Sequence, residues 1–264
     1  MSQNLIIEEC KLSKKYELEL EIIEGTKPVN LVSLTPENVA KVEAMIRFDS
    51  RYRQDASDKY FPYWLKELRK YLKHPNGETS VYDFEKIIEN AINKVDTENS
   101  THLNADNVGR DEIKKRILEC ENRLLEFLEK RDCGFEFINF LADKTHPLSG
   151  KRARYNISFA SKFCHYACFY IFEGEDAQDN FSIYDSVVAK VLPYYLNQYQ
   201  IELEKKFNPD SKDYETYSTA IDEVIKASGN KISRNGFDHL LWYYFKDKEL
   251  PKAKRRRNDG QRVG

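Results

Sequence analysis

Charged and apolar residues alternate with a period of two over Glu17, Leu18, Glu19, Leu20, Glu21 and Ile22, the pattern of a strand with one wet face. Gly25, Thr26 and Pro28 then supply a turn, and residues 29–34 are the expected partner strand. From Thr35 the period becomes helical. Thr35-Pro36-Glu37 opens a helix: the hydroxyl can cap, Pro is tolerated in the first turn, and Glu complements the dipole. Val39, Val42 and Ile46 follow on one face. Trp64, Leu65, Leu68 and Leu72 mark a second helix over 61–72, and Val81, Phe84, Ile88 and Ile92 a third over 80–95. Residues 96–109 are polar and predict a loop.

Ile113, Ile117, Leu124 and Leu128 form one stripe and predict a single helix over 111–130. A short helix over 134–143 is broken by Pro147 and Gly150. A long apolar helix follows over 158–172, then an acidic loop over 173–179, and further helices over 185–199, 214–227 and 234–245. The expected fold class is therefore mainly α with a small N-terminal β element. The expected organisation is a β-hairpin plus helical region over 1–108, a helical core over 109–248 and a basic disordered tail over 249–264, which holds the run Lys-Ala-Lys-Arg-Arg-Arg.

Composition narrows the class. The chain has 264 residues, enough for one large domain or two modest ones. No apolar run approaches the roughly 20 residues that span a bilayer. Neither a secretory leader nor a disulfide framework is readable, since the start is charged and the 5 Cys are scattered, so a reducing cytoplasm is expected. Lys and Arg number 42 against 44 Asp and Glu, which excludes a uniform positive coat and leaves local patches open.

One such patch exists. Residues 144–172 carry Lys144, Lys151, Arg152, Arg154 and Lys162 and no acid. A solvated loop would explain it. So would an anion site, because the following helix start adds backbone amides and dipole potential. Inside the patch, Ser158 is the expected N-cap of an apolar helix, which puts Lys162 in or just beyond its first turn, against the positive end of the dipole. The bland reading is a lysine that snorkels to water. The chemical one is a nucleophilic amine kept neutral by burial and nearby positive charge. Twenty-three residues on, Asp185 stands where the next helix begins, a capping position that also fixes a carboxylate in space.

Cys164, His165 and Cys168 do not make a metal site: the cysteines share a helix face, the histidine does not, and no second pair has zinc-like spacing. They read as core. No phosphate loop, Gly-x-Gly-x-x-Gly turn or serine triad is present. No metal and no small-molecule cofactor is expected.

A basic loop, then Ala160-Ser161-Lys162 opening an apolar helix, then Ile183-Tyr184-Asp185-Ser186 at a helix start resembles the core of the helix-hairpin-helix DNA glycosylases. The closest likeness is to the 8-oxoguanine DNA glycosylase fold, its divergent bacterial branch included. The resemblance covers residues 134–200 and extends more weakly to 248, where Phe237, Asp238 and Trp242 resemble part of a C-terminal helix of those relatives. It implies that Lys162 attacks the sugar C1′ and Asp185 assists base departure, giving a DNA glycosylase with Schiff-base lyase activity. The implied partner is double-stranded DNA with one base flipped out, bound by a monomer. Tyr166, Asp238 and Trp242 would then line the base pocket, and Lys151, Arg152, Arg154 and Ser158 would hold DNA. The hairpin turn departs from the family: Pro147 to Asn156 contains one glycine and more charge. The rival reading is a catalytically silent DNA-binding or partner-binding protein with the same fold.

Overall fold

The computed structural model describes residues 18–48, 58–73, 82–99, 101–103, 109–130, 135–143 and 155–250. The expected basic tail and the loop bearing Lys144, Lys151, Arg152 and Arg154 lie outside the described residues. What is described is mainly helical. Strands β1 (Ile22–Ile23) and β2 (Leu31–Val32) precede ten helices: α1 (Pro36–Phe48), α2 (Phe61–Lys73), α3 (Phe84–Glu98), α4 (Gly109–Glu119), α5 (Glu121–Lys130), α6 (Phe135–Ala142), α7 (Ile157–Ile171), α8 (Ser186–Gln198), α9 (Tyr214–Ala227) and α10 (Arg234–Phe245). A 3₁₀ turn, Asp176–Asp179, sits in the stretch read as an acidic loop. No helix among the described residues is long and apolar enough to cross a membrane.

The β element is smaller than the alternation predicts. β1 and β2 pair antiparallel with Ile22 opposite Val32 and Ile23 opposite Leu31. Leu18 and Leu20 do face the core, but Ile22 is 42% exposed and Ile23 takes the inner place. Asn38 explains much of this. Its side-chain amide accepts from Glu21 N at 3.0 Å and donates to Ser33 O at 2.9 Å, so a helix residue occupies the two groups whose bond would extend the ladder, although Ser33 N still donates to Glu21 O at 2.9 Å.

Two helix boundaries also differ. The stripe over 111–130 is broken at Cys120, where Arg123 N bonds Cys120 O at 2.8 Å and Cys120 N bonds Ile117 O at 3.2 Å, both three-residue turns. The break lets Ile113 and Ile117 stay buried where α4 packs on α3, while α4 and α5 both reach α6. Helix α3 runs on to Glu98, so residues 96–98 are helical rather than loop. Asp83 caps its start, accepting from Lys86 N at 2.8 Å.

One cluster of buried residues runs from Val29 to Phe245. The layers that matter for function are α7, packed on α2 and α6, and α10, packed on α1 and α8. Gly236 in α10 sits so close to α1 that an added Cβ would lie 2.7 Å from a Val39 methyl. The start of α10 is fixed further by Asp179, whose carboxylate accepts from Arg234 N (2.6 Å) and Asn235 N (2.9 Å). On the other side, Tyr195 of α8 donates to Val32 O at 2.8 Å and ties the helical core to the strand pair.

Residues 181–185 are extended and pair with no strand, yet Phe181, Ser182, Ile183 and Tyr184 are all buried. Their backbone groups are met by side chains. His165 Nδ1 donates to Phe181 O (2.7 Å), Tyr214 OH to Ser182 O (2.7 Å) and Tyr217 OH to Ile183 O (2.8 Å), while Tyr184 N donates to Ser161 Oγ (2.9 Å). Removing one such donor strands a buried carbonyl. Tyr217→Phe is therefore expected to destabilise the fold by about 1–3 kcal/mol, measured as a shift of the urea midpoint with an unchanged slope.

Candidate functional site

Lys162, Asp185, Tyr166, Asp238, Trp242 and Ser158 line one cleft of about 560 Å³. They come from α7, the 181–185 segment and α10, and the end of α3, the 101–102 turn and Lys212 add to the lining. Lys151, Arg152 and Arg154, expected to flank it, lie outside the described residues.

Lys162 sits two residues deeper in its helix than the sequence implies. The N-cap of α7 is Asn156, not Ser158, and Ser158 is the second helical residue. The cause is local: Asn156 N is taken by Ala142 O at 2.8 Å, which stops the chain at the end of α6 and lets the helix begin at Ile157. Ser158 keeps a place on the cleft wall. The Lys162 ammonium donates to Asn99 O at 3.0 Å, a carbonyl at the C-terminal end of α3, where the helix dipole favours a cation. Burial nonetheless lowers the Lys162 pKa, with Asp185 and Asp238 opposing that shift.

Asp185 caps α8, accepting from Val187 N at 2.7 Å. Its position next to Lys162 is set by Ser161, the preceding residue on α7, through the hydrogen bond to Tyr184 N. Asp238 is deeper. It is 7% exposed, and its Oδ1 is buried with no hydrogen-bond partner. Burial first, then repulsion from Asp185, holds its carboxyl well above the usual range, against the pull of Lys162. One cation and two acids would leave a net negative charge in a dry place, and protonation of Asp238 removes it. A neutral carboxyl there can both donate and accept a hydrogen bond.

The two aromatics are less free than a stacking role alone would need. Tyr166 packs against Phe61 with ring centroids 4.6 Å apart, and its hydroxyl donates to Asn99 Oδ1 at 3.0 Å. Trp242 has the Lys246 ammonium 4.0 Å from its ring centroid, a cation–π contact that occupies one face of the indole. Each ring still borders the cleft.

Asn99 and Glu98 were invisible in the sequence because they fall in the stretch read as loop. Glu98 lines the cleft, accepts from Phe61 N at 2.9 Å through one oxygen, and leaves the other buried and unpartnered. Burial pushes its pKa up to about 7, with the Phe61 amide and Lys94 opposing. Ser161 was in view beside Lys162, but nothing in its spacing marked it as the residue that positions Asp185. Cys164 and Cys168 are buried thiols, and His165 is buried and neutral, its protonation disfavoured chiefly by burial. Among the described residues no group of His, Cys, Asp and Glu is arranged to hold a metal ion.

The raised pKa of Glu98 has a consequence for stability. The native state keeps this proton where the unfolded chain has lost it, so its contribution is present at low pH and disappears as pH rises through about 7. Glu98→Gln is neutral at every pH. It is expected to melt with the native protein at pH 4.5 and to be more stable by about 1 kcal/mol at pH 8.5, allowing for partial solvent access; equal urea midpoints at both pH values would refute this. No known family, curated protein or solved structure matches the chain, so function must be argued from this geometry.

Proposed function

We propose that the protein is a DNA glycosylase with Schiff-base lyase activity, acting on a damaged or modified base flipped from duplex DNA into the cleft. The observation that carries the reading is the meeting of Lys162, Asp185 and Asp238 in one cleft, with the lysine's charge disfavoured by burial. A base inside a duplex is out of reach of any side chain, so the nucleotide must leave the stack, at a cost of a few kcal/mol.

In this mechanism the Lys162 amine donates its electron pair to the sugar C1′ as the glycosidic bond breaks. That bond's electrons leave with the base nitrogen. Asp185, held rigidly by the α8 amide, stabilises the positive charge that develops on the sugar and receives a lysine proton. Ring opening yields the Schiff base, which acidifies the sugar C2′ proton, and loss of that proton expels the 3′ phosphate. Asp238 in its neutral form would hydrogen-bond the polar edge of the base, beside Trp242 and Tyr166. The resemblance seen in the sequence supports the same assignment.

The silent-fold reading has one observation in its favour: the Lys162 ammonium already has a structural partner in the Asn99 carbonyl. Borohydride trapping separates the two. With a panel of lesion-bearing duplexes the native protein is expected to form a covalent adduct, Lys162→Ala none, and Asp185→Asn the same adduct about 10²–10⁴-fold more slowly. Absence of any adduct with the native protein would move the assignment to a binding protein.

A further inference from the structure

The cleft is layered by charge. Its buried acid, Asp238, lies deep, whereas two exposed lysines, Lys212 and Lys246, and the exposed imidazole of His102 border it. Lys246 is engaged with Trp242. The other two share a second property. His102 and Lys212 have φ of 57° and 55°, and among the described residues only Gln200 is another non-glycine with positive φ. Such backbone is strained for a residue with a Cβ and survives only where its surroundings enforce it.

Both surroundings do so. His102 is flanked by Thr101 and Leu103, each bonded to Asp96, which is 3% exposed. Thr101 Oγ and Leu103 N (2.9 Å) both donate to Asp96 Oδ1, and Arg110 Nε clamps Oδ2 at 2.7 Å. Gly109 makes the close approach of the chain to this turn feasible, since an added Cβ would stand 2.3 Å from Leu103 O. Lys212 lies in a turn closed by Asn208, whose side chain accepts from Asp210 N at 3.0 Å and whose carbonyl accepts from Ser211 N at 3.0 Å. Tyr184, the neighbour of Asp185, donates to Pro209 O at 3.0 Å and couples this turn to the candidate site. One cationic side chain, Lys212, and one hydrogen-bonding side chain, His102, are thus held at the cleft mouth by turns that are over-determined and otherwise strained.

We infer that His102 and Lys212 form a phosphodiester clamp, gripping the DNA backbone on either side of the flipped nucleotide. The inference rests on the glycosylase reading and extends it. A nucleotide entering base first brings its sugar to Lys162 and leaves its flanking phosphates at the mouth, where these two residues stand. The clamp supplies charge that the near-neutral chain does not supply globally, and it adds position as well as affinity because its backbone is fixed.

Equilibrium binding to a duplex with a stable abasic-site analogue, measured over a range of salt, tests this. Lys212→Gln is expected to weaken binding about three- to tenfold and to reduce the salt slope by about 0.9, the value for one lost phosphate contact. His102→Ala should weaken binding to a similar degree. Lys226→Ala, an exposed lysine outside the cleft, should leave both affinity and slope unchanged. Lys212→Gly adds a readout that unfolding would not mimic: relief of the positive φ should keep or raise the melting temperature while binding falls. If the native protein binds and traps DNA but the Lys212 and His102 variants keep its affinity and slope, the clamp is overturned and the glycosylase reading stands. If the native protein neither binds this duplex nor traps any of the lesion-bearing duplexes, both are overturned.

Discussion

The segment from Phe181 to Asp185 is the constraint on which the site depends. It is buried as far as Tyr184 and lies outside any helix, and no neighbouring strand offers it hydrogen bonds. Helices α7 and α9 meet that need with side chains, His165 and Ser161 from one, Tyr214 and Tyr217 from the other. Because an unpaired buried carbonyl costs about 1–3 kcal/mol, these bonds fix the segment's path as firmly as a sheet would. The path ends at Asp185, and the same Ser161 that receives Tyr184 N is the chain neighbour of Lys162. The bond that satisfies the backbone therefore also ties the chain beside Asp185 to the helix turn that carries Lys162.

Electrostatics follow from that proximity. The structure brings one lysine and two aspartates to one cleft, with Asp238 buried and Lys162 and Asp185 half-buried, so that full ionisation of all three would leave an excess negative charge there. Protonating Asp238 is the least costly arrangement, since it is the deepest and the one left without a hydrogen bond. Lys162 is drawn in two directions, its charge opposed by burial and supported by Asp185, Asp238 and the Asn99 carbonyl. In the proposed reaction that balance would let the amine lose its proton when substrate displaces the contacts that support its charge.

The exposed polar side chains at the mouth belong to the same logic at a larger radius. Phosphate is hydrated and charged and is best met at a surface; a base is flat and largely apolar and is best met inside. In the proposed clamp, His102 and Lys212 sit outside and Asp238 with Trp242 inside, the order in which the parts of a nucleotide would arrive. Two loops far apart in sequence contribute these residues, each strained at one position and tied down around it.

The sequence by itself determined the helical class, most element positions and the pairing of Lys162 with Asp185 as candidates. Hydrophobic period and capping residues are local signals, and Asp185 is the cap it was expected to be. It misjudged what depends on competition between distant partners. Asn156 rather than Ser158 begins α7 because α6 claims its amide; the 111–130 stripe breaks so that its first half packs on α3 while both halves reach α6; and the strand pair stops short because Asn38 takes the Glu21 amide and the Ser33 carbonyl. Only the tertiary structure decided that Asp238, fifty-three residues from Asp185, is buried and unpartnered in the same cleft, and that Ser161, Asn99 and Glu98 shape it. Burial and charge coupling are properties of packing, and a sequence shows which groups are present long before it shows which of them must share a proton.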